Sequence, residues 1–187
     1  MADRVGTEGA GPTGVYPGSF DPPTIAHLHL AERAREQLGL VRVDLVISHG
    51  TLGKDDAALT PIDERVVTLR HLGVDRPWLR AGTTPLRLLA DIAEPYDAVV
   101  LGADKWHQLL DPSWYGGPDE RDRALRRLPT VALAARPPWP LPGEHPSAEP
   151  PEGVVVVVLD TDPAHHHVSA TAVREGRHEW RAPLPDG

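Results

Sequence analysis

The chain contains no cysteine among its 187 residues. That excludes a disulfide framework, a thiolate nucleophile and a cysteine-bound zinc. Positive charge is scarce, with 19 basic against 27 acidic residues and a net charge of −8. Only Lys54 and Lys105 are lysine. A general nucleic-acid surface needs a basic face that releases counterions, so no nucleic-acid partner is expected. No run approaches the roughly 20 apolar residues of a membrane-spanning helix. The N-terminus also lacks the charged-then-apolar plan of a secretory leader. No membrane partner is expected, and the cytoplasm is the default location. Proline and glycine are plentiful instead, at 21 and 17, which points to substantial loops. With 40% apolar and 25% charged residues the rest is ordinary for one globular domain with a real core.

Taken in order, residues 1–12 are small, polar and Gly-rich and read as a mobile lead-in. Residues 13–16 are a short strand that Pro17-Gly18-Ser19 must end. Ile25, Leu28, Ala31 and Leu38 then follow mainly helical spacing as far as Gly39, a C-terminal cap residue. Residues 41–47 read as a second strand and 48–59 as a loop. Thr60-Pro61-Ile62-Asp63 predicts a capped helix start with Thr60 as N-cap, and that helix stops at Gly73. Residues 78–81 form a third strand, and Thr84-Pro85 repeats the cap-plus-proline device before Leu86, Leu89 and Ile92. A fourth strand over 97–101 ends in Gly102-Ala103-Asp104. A charged helix over 118–128 and a fifth strand over 130–135 come next. Residues 136–153 hold seven prolines and no periodic pattern, so they read as a loop. Residues 154–159 read as a sixth, fully buried strand, and Ser169 begins a last helix. Strands alternating with helices predict an α/β fold with a parallel sheet covered on both faces. Ligands in such folds bind beyond the carboxyl ends of the strands, at a topological switch point.

The run Tyr16-Pro17-Gly18-Ser19-Phe20-Asp21-Pro22-Pro23-Thr24-Ile25-Ala26-His27 carries the strongest chemical signal. Gly18 can take φ > 0 and let an anion approach the backbone. Thr24 and His27, three apart, share one face of the first helical turn. A helix N-terminus behind a small loop offers N–H groups and positive potential to a phosphate. This string resembles the G-x-F-D-x-x-[HT]-x-G-H motif of the nucleotidyltransferase superfamily, with Ala26 at the motif's second glycine. It is most similar to the nicotinate or nicotinamide mononucleotide adenylyltransferases and phosphopantetheine adenylyltransferase. The resemblance covers about residues 13–176, leaving 177–187 as a C-terminal tail. It implies a Rossmann-like, doubly wound parallel sheet of the nucleotidyltransferase type.

A second string, Val168-Ser169-Ala170-Thr171-Ala172-Val173-Arg174, is similar to the I-S-S-T-x-I-R run of mononucleotide adenylyltransferases. Ser169 can cap a helix facing a triphosphate, Thr171 adds a hydroxyl, and Arg174 adds a charged fork for phosphate oxygens. The reaction so implied is attack of a substrate phosphate on the α-phosphate of ATP or CTP, with pyrophosphate leaving. The attacking group is already an anion, so the protein's task is orientation and charge stabilisation rather than general-base catalysis. His27 would donate to the α-phosphate beside Thr24, and Arg174 would hold the outer phosphates. Mg²⁺ would be carried mainly by the triphosphate and water. Gly18, Ser19 and Phe20 complete the implied nucleotide site.

Lys54, in a run that resembles the S-K-K-x-x-x-[FL]-T-x-x-E-R segment of the phosphopantetheine enzyme, is a candidate for the reacting phosphates and the acceptor. Leu101-Gly102-Ala103-Asp104 through Trp114 resembles the G-x-D…W segment of mononucleotide adenylyltransferases. It implies Gly102 and Asp104 at the nucleotide and Trp106 or Trp114 stacked on an acceptor ring. Arg136 resembles the arginine of that family's R-P strand end. His165-His166-His167 points in alternating directions if extended, so no metal site is expected there. His29 lies off the His27 face and reads as a bystander. A homo-oligomer is compatible with the sequence. Rival readings are phosphopantetheine adenylyltransferase, a cytidylyltransferase, or a nucleotide-binding relative without catalysis.

Overall fold

Apolar strands alternating with amphipathic helices bury both faces of a sheet when helices lie on either side. That is the architecture of the computed structural model, which describes residues 11–49 and 59–185. The elements run β1 (Thr13–Pro17), α1 (Ile25–Leu38), β2 (Arg42–Ser48), α2 (Ile62–Leu72), β3 (Leu79–Thr84), α3 (Leu89–Ala93) and β4 (Ala98–Gly102). They continue with α4 (Ala103–Leu110), α5 (Pro118–Leu125), β5 (Thr130–Ala134), β6 (Val156–Val158) and α6 (Ala170–Arg174). The strands pair in parallel in the order β3-β2-β1-β4-β5-β6. Alternate residues feed two cores. Tyr16 and Val100 join Phe20, Leu45 and Leu69 on one face. Val15, Val99 and Leu101 join Trp106 and Leu133 on the other.

The order reverses between β1 and β4, which pair through Gly14–Ala98 and Val15–Val99. The chain leaves β1 toward β2 and returns to the opposite side of β1 at β4. The turns after these two strands therefore diverge and leave a crevice at the carboxyl edge of the sheet. Pro17-Gly18-Ser19 and Gly102-Ala103-Asp104 stand there.

Four local expectations are corrected. Thr60 does not cap α2: the N-cap position is Pro61, with no side-chain cap. The Thr60 N–H is spent on the Asp21 carboxylate at 3.1 Å, and its carbonyl accepts from Arg65 at 2.7 Å. Thr84 ends β3, and its hydroxyl accepts from the Leu86 N–H at 3.2 Å, closing a turn in place of a helix cap. The sixth strand is an edge strand with Val158 40% exposed, and Val155 just before it is 59% exposed. An apolar run alone does not distinguish edge from centre. Finally, residues 177–185 are no loose tail. Ala182 is buried, its N–H donates to the Pro23 carbonyl at 3.0 Å, and Arg181 bridges Thr24, so the segment covers the entrance to α1.

Candidate active site

Thr24 is the N-cap of α1, and its hydroxyl accepts from the His27 N–H. His27, at the third helical position, closes the capping box in return: its Nδ1 accepts from the Thr24 N–H at 3.0 Å. An imidazole nitrogen that accepts carries no proton, so the ring hydrogen of neutral His27 sits on Nε2. The ring is held edge-on by Phe20 at 5.0 Å and Tyr16 at 5.9 Å, and these two pack edge-on at 5.4 Å. Burial pushes the Tyr16 hydroxyl far above its ordinary range; the Asp104 charge adds to the shift and Arg136 opposes it. His27 is thus a donor of fixed tautomer in a fixed orientation.

The loop before α1 is built to hold this ring. Phe20 has φ 47°, a left-handed conformation that costs a non-glycine residue about 1–3 kcal/mol and persists where surroundings enforce it. Gly18 is not the left-handed residue. Its need for glycine is steric, because a Cβ there would stand 2.9 Å from the Phe20 ring. Two buried charged side chains brace the loop. Arg65 donates to the Ser19 carbonyl at 2.7 Å and to the Thr60 carbonyl, while the Asp21 carboxylate takes the Thr60 N–H. Thr24 and Phe20 are themselves buried, 0% and 1% exposed, so neither side chain reaches a nucleotide. Thr24 positions His27, and Phe20 props it. Gly18 and Ser19 are partly exposed, and the Gly18 N–H is spent on the Val46 carbonyl at 3.1 Å.

The second string arrives opposite. Ser169 caps α6, its Oγ accepting from the Ala172 N–H at 3.1 Å. Arg174 donates to the Asp21 carbonyl and, at 3.2 Å, to the Thr171 hydroxyl, so the two strings meet through its guanidinium. Thr171 and Arg174 are exposed. Arg136, at the end of β5, donates to the carbonyls of Val168 at 2.6 Å and His166 at 3.3 Å. Its Nε lies 3.9 Å from the Asp104 carboxylate. At Gly102 a Cβ would meet that carboxylate at 2.5 Å. Asp104, Arg136, Trp139, His166, His167 and Ser169 line an open concavity of about 240 Å³.

Of the two tryptophans offered for an acceptor ring, Trp106 is excluded. It is fully buried in the core, its indole N–H donating to the Ala148 carbonyl at 2.8 Å. Trp114 is 53% exposed on a short turn (Pro112–Trp114) capped by Asp111. Hydrogen bonds from Ser113 hold the Asp111 carboxyl below its usual range. Lys54 lies outside the described residues. Three further residues matter to which the sequence assigned no role at the site. Arg65 braces the loop from a helix. Trp139, half exposed in the concavity, is backed by His107 at 5.2 Å; its only sequence cue is its place three residues after Arg136. His29 is not a bystander, since its Nε2 accepts from the Asp162 N–H at 3.0 Å and its ring stacks on His165 at 4.3 Å. Among the described residues no three His, Asp or Glu converge to hold a metal ion, and no helix is long and apolar enough to cross a membrane.

The cytidylyltransferase-like family matches residues 15–176, which contain both strings, the switch point and the concavity. The chain belongs to this family. Within it, a probable nicotinate-nucleotide adenylyltransferase of Listeria welshimeri is 28% identical over 186 residues, covering 92% of this chain and 89% of that protein. One from Methylorubrum extorquens (strain PA1) is 42% identical over 62 residues, but the match spans only 33% of this chain and 34% of that protein. A phosphopantetheine adenylyltransferase of Rhizorhabdus wittichii is 30% identical over 89 residues, 48% of this chain and 50% of that protein. Among solved structures, the Plasmodium falciparum nicotinic acid mononucleotide adenylyltransferase complexed with APC superposes with a TM-score of 0.63 at 13% identity. That superposition covers 89% of this chain and 83% of that one, and the likeness is one of fold.

Proposed function

We propose that this chain is a nucleotidyltransferase of the nicotinate-nucleotide adenylyltransferase type. It joins the adenylyl group of ATP to a phosphorylated small molecule and releases pyrophosphate. An acceptor phosphate oxygen attacks the α-phosphorus, the bond to the pyrophosphate oxygen breaks, and no proton need be removed from the attacking group. The observation that carries this reading is the locked tautomer of His27, whose Nε2–H is a preoriented donor for an α-phosphate oxygen. Arg174, tied to Asp21, brings a guanidinium to the same end of the sheet for the outer phosphates. The concavity of Asp104, Arg136 and Trp139 suits the nucleoside, and exposed Trp114 suits a flat acceptor ring. Lys54 remains a candidate for the acceptor phosphate.

Mg²⁺ enters this reading bound to the triphosphate, where it would neutralise charge. Asp104 is the acidic side chain of the concavity and could contribute one carboxylate oxygen to an ion carried by phosphate oxygens and water. A second acceptor class is kept open by Thr24 and by the phosphopantetheine adenylyltransferase match. The test is a pyrophosphate-release screen of ATP and CTP against nicotinate mononucleotide, nicotinamide mononucleotide and phosphopantetheine. ATP with nicotinate mononucleotide is expected to turn over fastest. A preference for phosphopantetheine would move the chain to the second class. Release from no pair by folded protein would overturn the reading.

A further inference from the structure

The outward side of α1 carries His29, Arg33 and Gln37, spaced i, i+4, i+8, and all three engage one segment. Gln37 Oε1 accepts from the Asp160 N–H at 2.7 Å. Arg33 Nε donates to the Asp160 carbonyl at 2.8 Å, with its guanidinium 3.7 Å from the same residue's carboxylate. His29 takes the Asp162 N–H at 3.0 Å and stacks on His165. The clamped residues lead from β6 through a short turn (Pro163–His165) into His166 and Val168, whose carbonyls hold Arg136, and then to Ser169, the cap of α6. The helix that aims His27 from its first turn thereby also fixes the approach to the other phosphate-site string.

We propose that His29 is a positioning residue for the triphosphate end of the site, holding the 160–168 segment in register through the Asp162 N–H and the His165 ring, and doing so only as a neutral imidazole. The proposal rests on the nucleotidyltransferase reading. Its physical basis is that a nitrogen which accepts a backbone N–H has no proton of its own. Protonation would turn Nε2 into a donor facing a donor and would put a cation against the stacked His165 ring. Burial, His165 and Arg33 disfavour the cation, Asp162 and Glu32 favour it, and the balance holds His29 below the ordinary histidine value. The sign follows from that direction. The contact is intact above the ordinary histidine pKa and is lost as pH falls through the lowered one.

The experiment compares wild type, His29→Ala and His29→Gln from pH 7.5 to about 5, across the ordinary histidine value. It measures amide exchange over residues 160–168, corrected for intrinsic rates, with the affinity and KM for Mg·ATP and kcat. Wild type should lose protection of the Asp162 amide and gain KM toward acid. His29→Ala should exchange quickly and show a several-fold higher KM throughout, with kcat little changed. His29→Gln keeps an acceptor oxygen that does not titrate, so it should restore protection and remove the acid rise in KM. Wild-type exchange and KM in His29→Ala, or an unchanged acid limb in His29→Gln, would overturn the proposal. Wild type that binds no triphosphate would overturn the nucleotidyltransferase reading and the proposal with it.

Discussion

The turn after β1 is held by buried groups, whereas the turn into α6 is held mainly by side chains at the surface. Around His27, Tyr16 and Phe20 interlock, Thr24 caps the helix, the buried Arg65 donates to the loop's Ser19 carbonyl, and the buried Asp21 carboxylate accepts the Thr60 N–H. The five-residue α6 has one fully buried side chain, Val173. Its place is set by contacts borrowed from elsewhere: Arg136 on the preceding carbonyls, the α1 stripe on residues 160–165, and Arg174 reaching to Asp21. Packing makes the first region stiff, and hydrogen bonds to exposed groups make the second easier to open. The stiff half suits a donor that must meet a transition state without reorganising. In the proposed reaction, the opening half would let the triphosphate enter and the pyrophosphate leave.

The contrast is broken most severely at Phe20. Phe20→Ala removes a fully buried ring and should cost about 3–5 kcal/mol in chemical denaturation, with turnover falling as His27 loses its prop. Equal stability and activity in that variant would mean the left-handed turn holds itself. Next comes Arg174→Ala, on an exposed side chain. The Mg·ATP KM should rise by about tenfold, roughly 1.4 kcal/mol, while stability falls by no more than about 1.5 kcal/mol, the worth of its lost hydrogen bonds. A large loss of stability would show that α6 is as tightly built as the β1 turn. The smallest effect is expected at Trp114. Trp114→Ala should raise the acceptor KM a few-fold with the ATP KM unchanged, and the fluorescence difference between wild type and Trp114→Ala should be unaltered by ATP until acceptor is added.

Much of this was legible because it is local. Thr24 three residues before His27 brings the two side chains together, and Ser169 ahead of Thr171 and Arg174 specifies a cap; that Thr24 is itself the N-cap of α1 emerges only from the structure. The alternation of apolar runs gave all six strands and, with the two motifs, the edge on which they meet. What stayed hidden depends on partners distant in sequence. Trp106 and Trp114 are alike in isolation, and only the sheet decides that one is core and the other exposed. Thr60 looks like a cap until the Asp21 carboxylate claims its N–H. The spacing of His29, Arg33 and Gln37 marks one helix face, but nothing local says that residues 160–165 will lie against it. Thr84 closes a turn in place of a helix because its hydroxyl reaches an amide two residues on, a local competition that the cap pattern does not resolve.

His27 is where the account meets its test. Steady-state turnover and equilibrium Mg·ATP affinity should be measured together for wild type and His27→Ala. An interaction that strengthens as charge develops lowers kcat rather than affinity. The expected result is a fall in kcat of about 10²–10³, the loss typical of one preorganised donor, roughly 2.7–4 kcal/mol. Affinity should stay within about tenfold, roughly 1.4 kcal/mol, since α6 and the Arg174 contact remain. Full kcat in His27→Ala, in a preparation whose wild type turns over, would contradict the account.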